Sequence, residues 1–287
     1  MLTNHATFFG YTYGMEQAEI VIFGAPFDST TSNRPGTRFA PALMRLDSIN
    51  LESYSPYQKV DLSELKVADI GDLELAFGNA RKVLEDVYIQ TGKILKADKI
   101  PVMLGGEHLL TLGAVKAAFE AYPDLNLLHL DAHTDLREEY LGEKLSHATV
   151  IRHCCNLLEP KAIHSFGVRS GLREEFEFAA ANLNFYPFDL DQMQELKSMI
   201  GDKPVYVTID LDVLDPAFFP GTGTPEPGGV TFKELLRNLL HLKNLNIVGF
   251  DIVELCPPAD LTGISSAAAC KVLREMLLIA GKAGNSI

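Results

Sequence analysis

Short apolar runs recur along this chain, and they constrain its fold more than any other feature of the sequence. The runs consist mainly of β-branched and aliphatic residues and span 20–27, 66–70, 100–104, 125–130, 162–168, 205–209 and 246–252. Segments with helical periodicity lie between them, most clearly 81–95, 232–242 and 267–279. Apolar strands that alternate with helices are typical of a parallel sheet covered on both faces, so we expect an α/β fold.

The size of the chain suits one domain. It has 287 residues, of which 47% are hydrophobic, so it can bury one large core. The Pro- and Gly-rich stretch 216–229 lies between a predicted strand and a predicted helix, which indicates a functional loop and not a linker. We therefore expect a single domain over residues 1–287.

Composition also bears on the compartment and the partners. No basic segment leads into an apolar stretch near the start, and the four cysteines have no C-x-x-C spacing. A cytoplasmic protein with reduced thiols, away from membranes, is expected. The formal net charge of −13 disfavours nucleic acid, because binding phosphates requires clustered Lys and Arg. The same charge is compatible with a small cationic substrate.

Metal-ligand residue types follow two of the predicted strands. GGEHLLT places His108 on the turn after residues 100–104, where capping or packing is the ordinary role of a lone histidine. DAHTD follows residues 125–130 and contains Asp131, His133 and Asp135 at alternate positions. In an extended backbone, alternate residues project to one side. Three such side chains at the end of a buried strand would be costly to desolvate without a countercharge, which favours a bound metal.

A third strand end adds two carboxylates. DLDVLDP follows residues 205–209 and offers Asp210 and Asp212, which would repel each other at close range unless a cation lies between them. Across the three strand ends, the four aspartates carry the charge that two divalent ions would balance. Carboxylate and imidazole ligands without thiolates suit Mn, Co, Fe(II) or Zn.

The sequence alone leaves several roles possible for two further residues, Glu254 and His147. Glu254 follows residues 246–252 and could be another ligand, a general base, an anchor for a cationic substrate, or a solvated loop carboxylate. His147 follows the DAHTD segment and could transfer protons near the site, or cap and pack. His129, inside its strand, is expected to be a packed core residue.

The motifs GGEHLLT, DAHTD and DLDVLDP resemble those of the ureohydrolase family, the arginases and agmatinases, in order and in separation. The resemblance extends to GAPFDSTTSNRPGTRFAPALMR from Gly24, PGTGTPEPGG from Pro220 and DIVEL from Asp251. It implies a three-layer αβα fold with a central, mostly parallel, eight-stranded sheet. It also implies two Mn²⁺ ions per subunit and a homo-oligomer, either a trimer or a hexamer.

The resemblance also implies roles for single residues. One manganese would be bound by His108, Asp131, Asp135 and Asp210, and the other by His133, Asp131, Asp210 and Asp212. Glu254 would pair with the guanidinium nitrogens of the substrate, and His147 would be the proton shuttle. Arg137 and Thr224, which lies within PGTGTPEPGG, are further expected substrate contacts. A hydroxide bridging the two ions would attack the guanidinium carbon.

Agmatine is the expected substrate, cleaved to urea and the polyamine putrescine. Leu136 and Arg137 stand where arginases carry polar residues that recognise arginine, and Glu138 and Glu139 could meet a cationic tail. The alternatives are arginine, guanidinobutyrate and aminopropylagmatine. A zinc deacetylase is disfavoured because His108 and Asp135 fill second-metal positions, and a non-catalytic metal-binding homologue would be expected to lack ligands that this chain retains.

Overall fold

The computed structural model describes residues 6–281, and a sheet of eight strands runs through its centre. The strands of the chain are β1 (Ile20–Ala25), β2 (Tyr54–Ser55), β3 (Val60–Asp61), β4 (Val67–Asp72), β5 (Ile100–Gly105), β6 (Asn126–Leu130), β7 (Ile163–Phe166), β8 (Asn184–Tyr186), β9 (Pro204–Asp210) and β10 (Asn246–Val253). The central sheet has the order β4, β1, β5, β10, β9, β6, β7, β8. All its pairings are parallel, whereas β2 and β3 form a separate antiparallel pair.

Helices cover both faces of this sheet. They are α1 (Ala40–Ser48), α2 (Ala80–Lys96), α3 (Thr111–Ala121), α4 (Val150–Cys154), α5 (Arg173–Asn182), α6 (Leu196–Ile200), α7 (Phe232–Leu239) and α8 (Ile264–Ala280). Helices α1, α6, α7 and α8 contribute to the apolar core on one face, and α2 to α5 contribute to the core on the other. The expected three-layer αβα fold is confirmed. No helix within residues 6–281 is long and apolar enough to cross a lipid bilayer.

The two cores follow from the alternation of side chains along each strand. In β1, Ile20 and Ile22 belong to the core that contains α8, whereas Val21 and Phe23 belong to the core that contains α2. Every residue of β1 is buried, as expected for a parallel strand packed on both faces. Because both faces of such a strand need apolar residues, β1 appears in the sequence as a continuous apolar run.

The topology gathers chemically active residues at one edge of the sheet. The four adjacent central strands are β5, β10, β9 and β6. Since all four are parallel, their carboxyl ends lie at the same edge, where ligands bind in open α/β sheets. His108 follows β5, Asp131 follows β6, Asp210 ends β9 and Glu254 follows β10. Residues far apart in the chain therefore meet at one place.

Candidate metal centre

Three carboxylates surround one ring nitrogen of His108. Its Nδ1 atom lies 3.0 Å from Oδ2 of Asp131, 3.2 Å from Oδ2 of Asp135 and 3.3 Å from Oδ2 of Asp210. The Nδ1 atom is buried and forms no hydrogen bond within the described part of the chain. Donor atoms around a divalent ion at about 2.1 Å lie about 3 Å from each other, which is the spacing seen here.

A second group of ligand atoms adjoins the first. His133 Nδ1 lies 3.0 Å from Oδ2 of Asp212 and 3.5 Å from Oδ1 of Asp131. The two carboxylate oxygens of Asp131 therefore face different histidines, Oδ1 towards His133 and Oδ2 towards His108. A carboxylate that faces two groups of ligands suits a bridge between two ions.

The charge of the cluster fits divalent cations. The four aspartates are each at most 9% exposed, and among residues 6–281 they form ion pairs with histidines alone. Burial and the charges of Asp212 and Asp131 raise the pKa of Asp210 well above its ordinary value. Four buried carboxylates are unfavourable together without a countercharge, and oxygen and imidazole donors supply a fitting site for divalent ions.

Two site residues have a left-handed backbone that side chains other than glycine rarely adopt. Asp135 has a φ of 51° and Glu254 has a φ of 64°. Such a conformation costs about 1–2 kcal/mol for an ordinary residue and is found preferentially at functional sites. Glu254 is held there by hydrogen bonds, since its N–H donates to Gly106 O and its Oε1 accepts from the His108 N–H at 2.7 Å.

His147 lies at the side of the cluster on a short 3-10 helix, His147–Thr149. Its Nε2 atom is 3.2 Å from Ser32 Oγ, and its backbone N–H donates to Thr30 Oγ1 at 3.1 Å. Thr30 in turn donates from its hydroxyl and its backbone N–H to the buried carboxylate of Glu107. Burial lowers the pKa of His147, which favours the neutral imidazole.

Most of the predicted site residues line one cavity of about 250 Å³. Those lining it are His108, His133, Asp135, Arg137, His147, Asp210, Asp212, Thr224 and Glu254. Asp131 is fully buried behind the cavity wall. Thr224 Oγ1 lies 3.4 Å from Asp212 Oδ2. Glu138 and Glu139 are not part of the lining, whereas Tyr140, Leu172 and Glu175 are.

Sequence reasoning missed contacts that two residues, His129 and Arg169, make in support of the cluster. His129 packs in the core as expected, and its Nε2 also lies 2.9 Å from Asp131 Oδ2. Arg169 holds the loop after β9 through the carbonyl oxygens of Asp212, Val213 and Glu226. His129 lies two residues before Asp131 on the same strand face, so strand alternation is a signal that could have placed it beside the ligands. No such local pattern marks Arg169.

Removal of divalent ions is expected to destabilise the protein, because the buried carboxylates then lose their countercharge. Chelation with EDTA should lower the Tm by about 5–10 °C relative to the Mn²⁺-loaded protein. Thermal unfolding followed by circular dichroism measures this difference. Adding Mn²⁺ back in excess should restore the higher Tm, and an identical Tm with and without the ion would contradict a metal site in this cluster.

Both the sequence and the fold of this chain match those of known proteins. The arginase family matches residues 18–279. The agmatinase of Bacillus cereus is 51% identical over 267 residues, 92% of this chain and 92% of that protein. The mitochondrial guanidino acid hydrolase of Homo sapiens is 35% identical over 275 residues, 91% of this chain and 78% of that protein. The agmatine ureohydrolase structure from Thermoplasma volcanium has a TM-score of 0.88 and 36% identity, and the match covers 98% of this chain and 96% of that one. The chain therefore belongs to the arginase family.

Proposed function

We propose that this chain hydrolyses agmatine to urea and putrescine with the help of two divalent ions. One observation carries the proposal: five of the six ligand residues and the buried carboxylate of Glu254 line one cavity, with Asp131 buried beside them, in a chain that is 51% identical to an agmatinase. The carboxylate and imidazole donors support bound divalent ions, and the buried carboxylate of Glu254 supports a cationic substrate. The relative supports agmatine as that substrate.

The ligand residues divide into two sets in this proposal. One ion would be held by His108, Asp131, Asp135 and Asp210, and the other by His133, Asp131, Asp210 and Asp212. When bound, such ions lower the pKa of a water molecule so that it can act as a nucleophile near pH 7. A guanidinium carbon is a poor electrophile, because its positive charge is delocalised over three nitrogens. Its hydrolysis therefore needs an activated water molecule.

Glu254 would bind the guanidinium of the substrate. Its side chain is 5% exposed, and burial raises its pKa well above the ordinary value, so the ionised form needs a cationic partner. The bond from His108 N–H occupies Oε1 and fixes the carboxylate beside the ligands. A planar guanidinium matches a carboxylate in charge and hydrogen-bond geometry, and this pairing would hold the carbon close to the ions.

His147 would move a proton at the end of the reaction. Cleavage breaks the bond between the guanidinium carbon and the alkyl-bearing nitrogen, and that nitrogen leaves as an amine only after it receives a proton. His147 lines the same cavity as the ligands, and Ser32 and Thr30 fix its ring and its backbone. An imidazole at this position can take a proton from water and donate it to the leaving nitrogen.

Replacement of His147 by asparagine is expected to lower kcat by about 100- to 10,000-fold with little change in KM, because proton transfer is lost while the substrate contacts remain. Urea release by the Mn²⁺-loaded variant measures both constants. His241→Asn is the matched control, since His241 is exposed and lies on the 3-10 helix Leu240–Asn244, outside the cavity lining. A His147→Asn kcat within about tenfold of wild type would rule out the shuttle role.

The cavity also favours a substrate with a second positive charge. After the four aspartates are balanced by two divalent ions, Glu254 and Glu175 remain as anionic lining residues, against one cation, Arg137. The Arg137 guanidinium lies 4.5 Å from the centre of the Tyr140 ring, which stabilises it at the cavity wall. Glu254 would pair with the guanidinium of agmatine, and Glu175 would attract its distal ammonium.

Parallel assays of four guanidines test this choice of substrate. The Mn²⁺-loaded protein is expected to have a higher kcat/KM for agmatine than for arginine, guanidinobutyrate or aminopropylagmatine. Guanidinobutyrate is the most informative rival, because its carboxylate would have to pair with Arg137 and would be repelled by Glu175. A preference for guanidinobutyrate would keep the reaction and overturn the substrate, and an absence of urea from all four would overturn the reaction.

Further proposals concern the metal ion, the location, the domain organisation and the assembly of the enzyme. Mn²⁺ is the proposed ion because the resemblance to the ureohydrolase family implies it, and oxygen and imidazole donors without thiolate suit it. A cytoplasmic location is supported by the four cysteines, all of which are free thiols. We also propose one domain over residues 1–287, a homo-oligomer of three or six chains as implied by the family, and a role of the product putrescine in polyamine synthesis.

A further inference from the structure

A buried chain of hydrogen bonds runs from the metal ligand His108 into the core. His108 Nε2 lies 2.9 Å from Thr208 Oγ1, and the Thr208 hydroxyl donates to Asp251 Oδ1 at 2.6 Å. Tyr206 OH donates to the other oxygen, Asp251 Oδ2, at 2.9 Å. Each of these four residues is at most 1% exposed. Asp251 therefore connects to the candidate metal centre through a single hydroxyl.

The sheet register builds this chain. Asp251 in β10 pairs with Thr208 in β9, so the two side chains stand beside each other on one face of the sheet. Tyr206 lies two residues before Thr208 on the same strand face. Asp251 forms no ion pair with lysine, arginine or histidine in the described part of the chain. A fully buried carboxylate without a cation is unfavourable, so its hydrogen-bond partners matter to the fold.

Counting the hydrogens along this chain of hydrogen bonds shows which ring nitrogen of His108 carries a hydrogen. A carboxylate only accepts, and a threonine hydroxyl has one hydrogen to donate. Because Thr208 gives that hydrogen to Asp251, its oxygen can only accept from its other two partners, His108 Nε2 and the Thr111 hydroxyl 3.1 Å away. Nε2 therefore carries a hydrogen, so in the neutral ring, the form that binds a cation, the lone pair is on Nδ1. Nδ1 is the atom that faces Asp131, Asp135 and Asp210.

We propose that Asp251, acting through Thr208, is a positioning residue that holds His108 with Nδ1 free to bind a divalent cation. The inference rests on the metal centre proposed above and extends it to two residues that touch neither ion nor substrate. Partners of this kind orient metal-ligating histidines, and their loss weakens metal binding by about 10- to 100-fold.

The test is a titration of the metal-free protein with Mn²⁺, with free Mn²⁺ followed by electron paramagnetic resonance. Thr208→Val keeps the shape and removes the hydroxyl, and it should weaken one of the two ions by about 10- to 100-fold. Thr208→Ser restores the hydroxyl and should bind both ions as wild type does. Asp251→Asn should resemble Thr208→Val, because its amide can donate to Thr208 and reverse the chain.

Thr91→Val is the matched control. Thr91 is also fully buried, lies on α2, and has a hydroxyl without a hydrogen-bond partner in the described residues. It should bind both ions with wild-type affinity. If Asp251→Asn fails to fold by circular dichroism, Thr208→Val and Thr208→Ser decide the question alone.

Wild-type affinity for both ions in Thr208→Val would overturn the inference, and so would equal weakening in Thr208→Ser. Failure of the proposed function gives a different result. A wild-type protein that binds two ions without releasing urea from any guanidine would contradict the proposed reaction, and the comparison between Thr208 variants would still stand. A wild-type protein that binds no Mn²⁺ would overturn both.

Discussion

Replacement of Asp131 by asparagine is expected to lower kcat/KM for agmatine by at least about 1000-fold, because Asp131, as the proposed ligand of both ions, would stabilise them and the charge that develops in the transition state. The two oxygens of Asp131 face His108 and His133 respectively, so one residue contributes to both ligand groups. Asparagine has the same shape but replaces one oxygen by an amide nitrogen, which cannot ligate a cation. Urea release and Mn²⁺ stoichiometry measure the two effects together.

Asp124→Asn is the control for this variant, since Asp124 is exposed and lies just before β6. It should retain the activity and metal content of wild type. If Asp131→Asn binds two ions per chain and keeps more than about a tenth of the wild-type kcat/KM, Asp131 is not a bridge, and the ligand assignment must change.

Glu254→Gln is expected to lower kcat/KM for agmatine by about 100-fold or more while leaving Mn²⁺ binding unchanged. The buried carboxylate of Glu254 would otherwise pair with the guanidinium, and loss of one partner from a buried charged pair costs about 2–5 kcal/mol. Glutamine can still accept from the His108 N–H, but its amide N–H groups would face the N–H groups of the substrate. Steady-state kinetics with agmatine and a metal-binding titration separate the two properties.

The control for Glu254 is Glu177→Gln, an exposed position on α5. Loss of metal together with activity in Glu254→Gln would instead make Glu254 a metal ligand. Activity close to wild type in Glu254→Gln would contradict the proposed pairing of Glu254 with the guanidinium.

The central strands and the chemistry at their ends were predictable from the sequence. Strands buried on both faces need continuous apolar runs, and six ligand-type residues follow three of those runs within a few positions. The resemblance to ureohydrolases is confirmed by the arginase family match over residues 18–279. Local sequence was sufficient here because each ligand-type residue lies close to the end of the strand that positions it.

Element boundaries and edge elements were harder to predict. The run 162–168 gives a strand of only Ile163–Phe166, because Gly167 turns away with a φ of 82°. The edge strand β8, Asn184–Tyr186, did not appear among the predicted runs, since it has three residues and all are only partly buried. Helix α8 begins at Ile264, earlier than the predicted residue 267, directly after Gly263, which has a φ of 77°.

Contacts between distant residues were beyond sequence reasoning. Asp251 lies in the DIVEL segment, yet its bond to Thr208 depends on how β10 and β9 are paired. The contacts of Ser32 and Thr30 with His147 join residues more than a hundred positions apart. Such contacts are set by the tertiary fold, and no periodicity in one sequence encodes them.

The most direct test of the central claim is the rate of urea release from agmatine as Mn²⁺ is added stepwise to the metal-free protein. The proposed mechanism predicts no urea without the ion, a rate that rises with added Mn²⁺, and a plateau at two ions per chain. Urea release at full rate without metal, or no urea at any Mn²⁺ concentration, would contradict it.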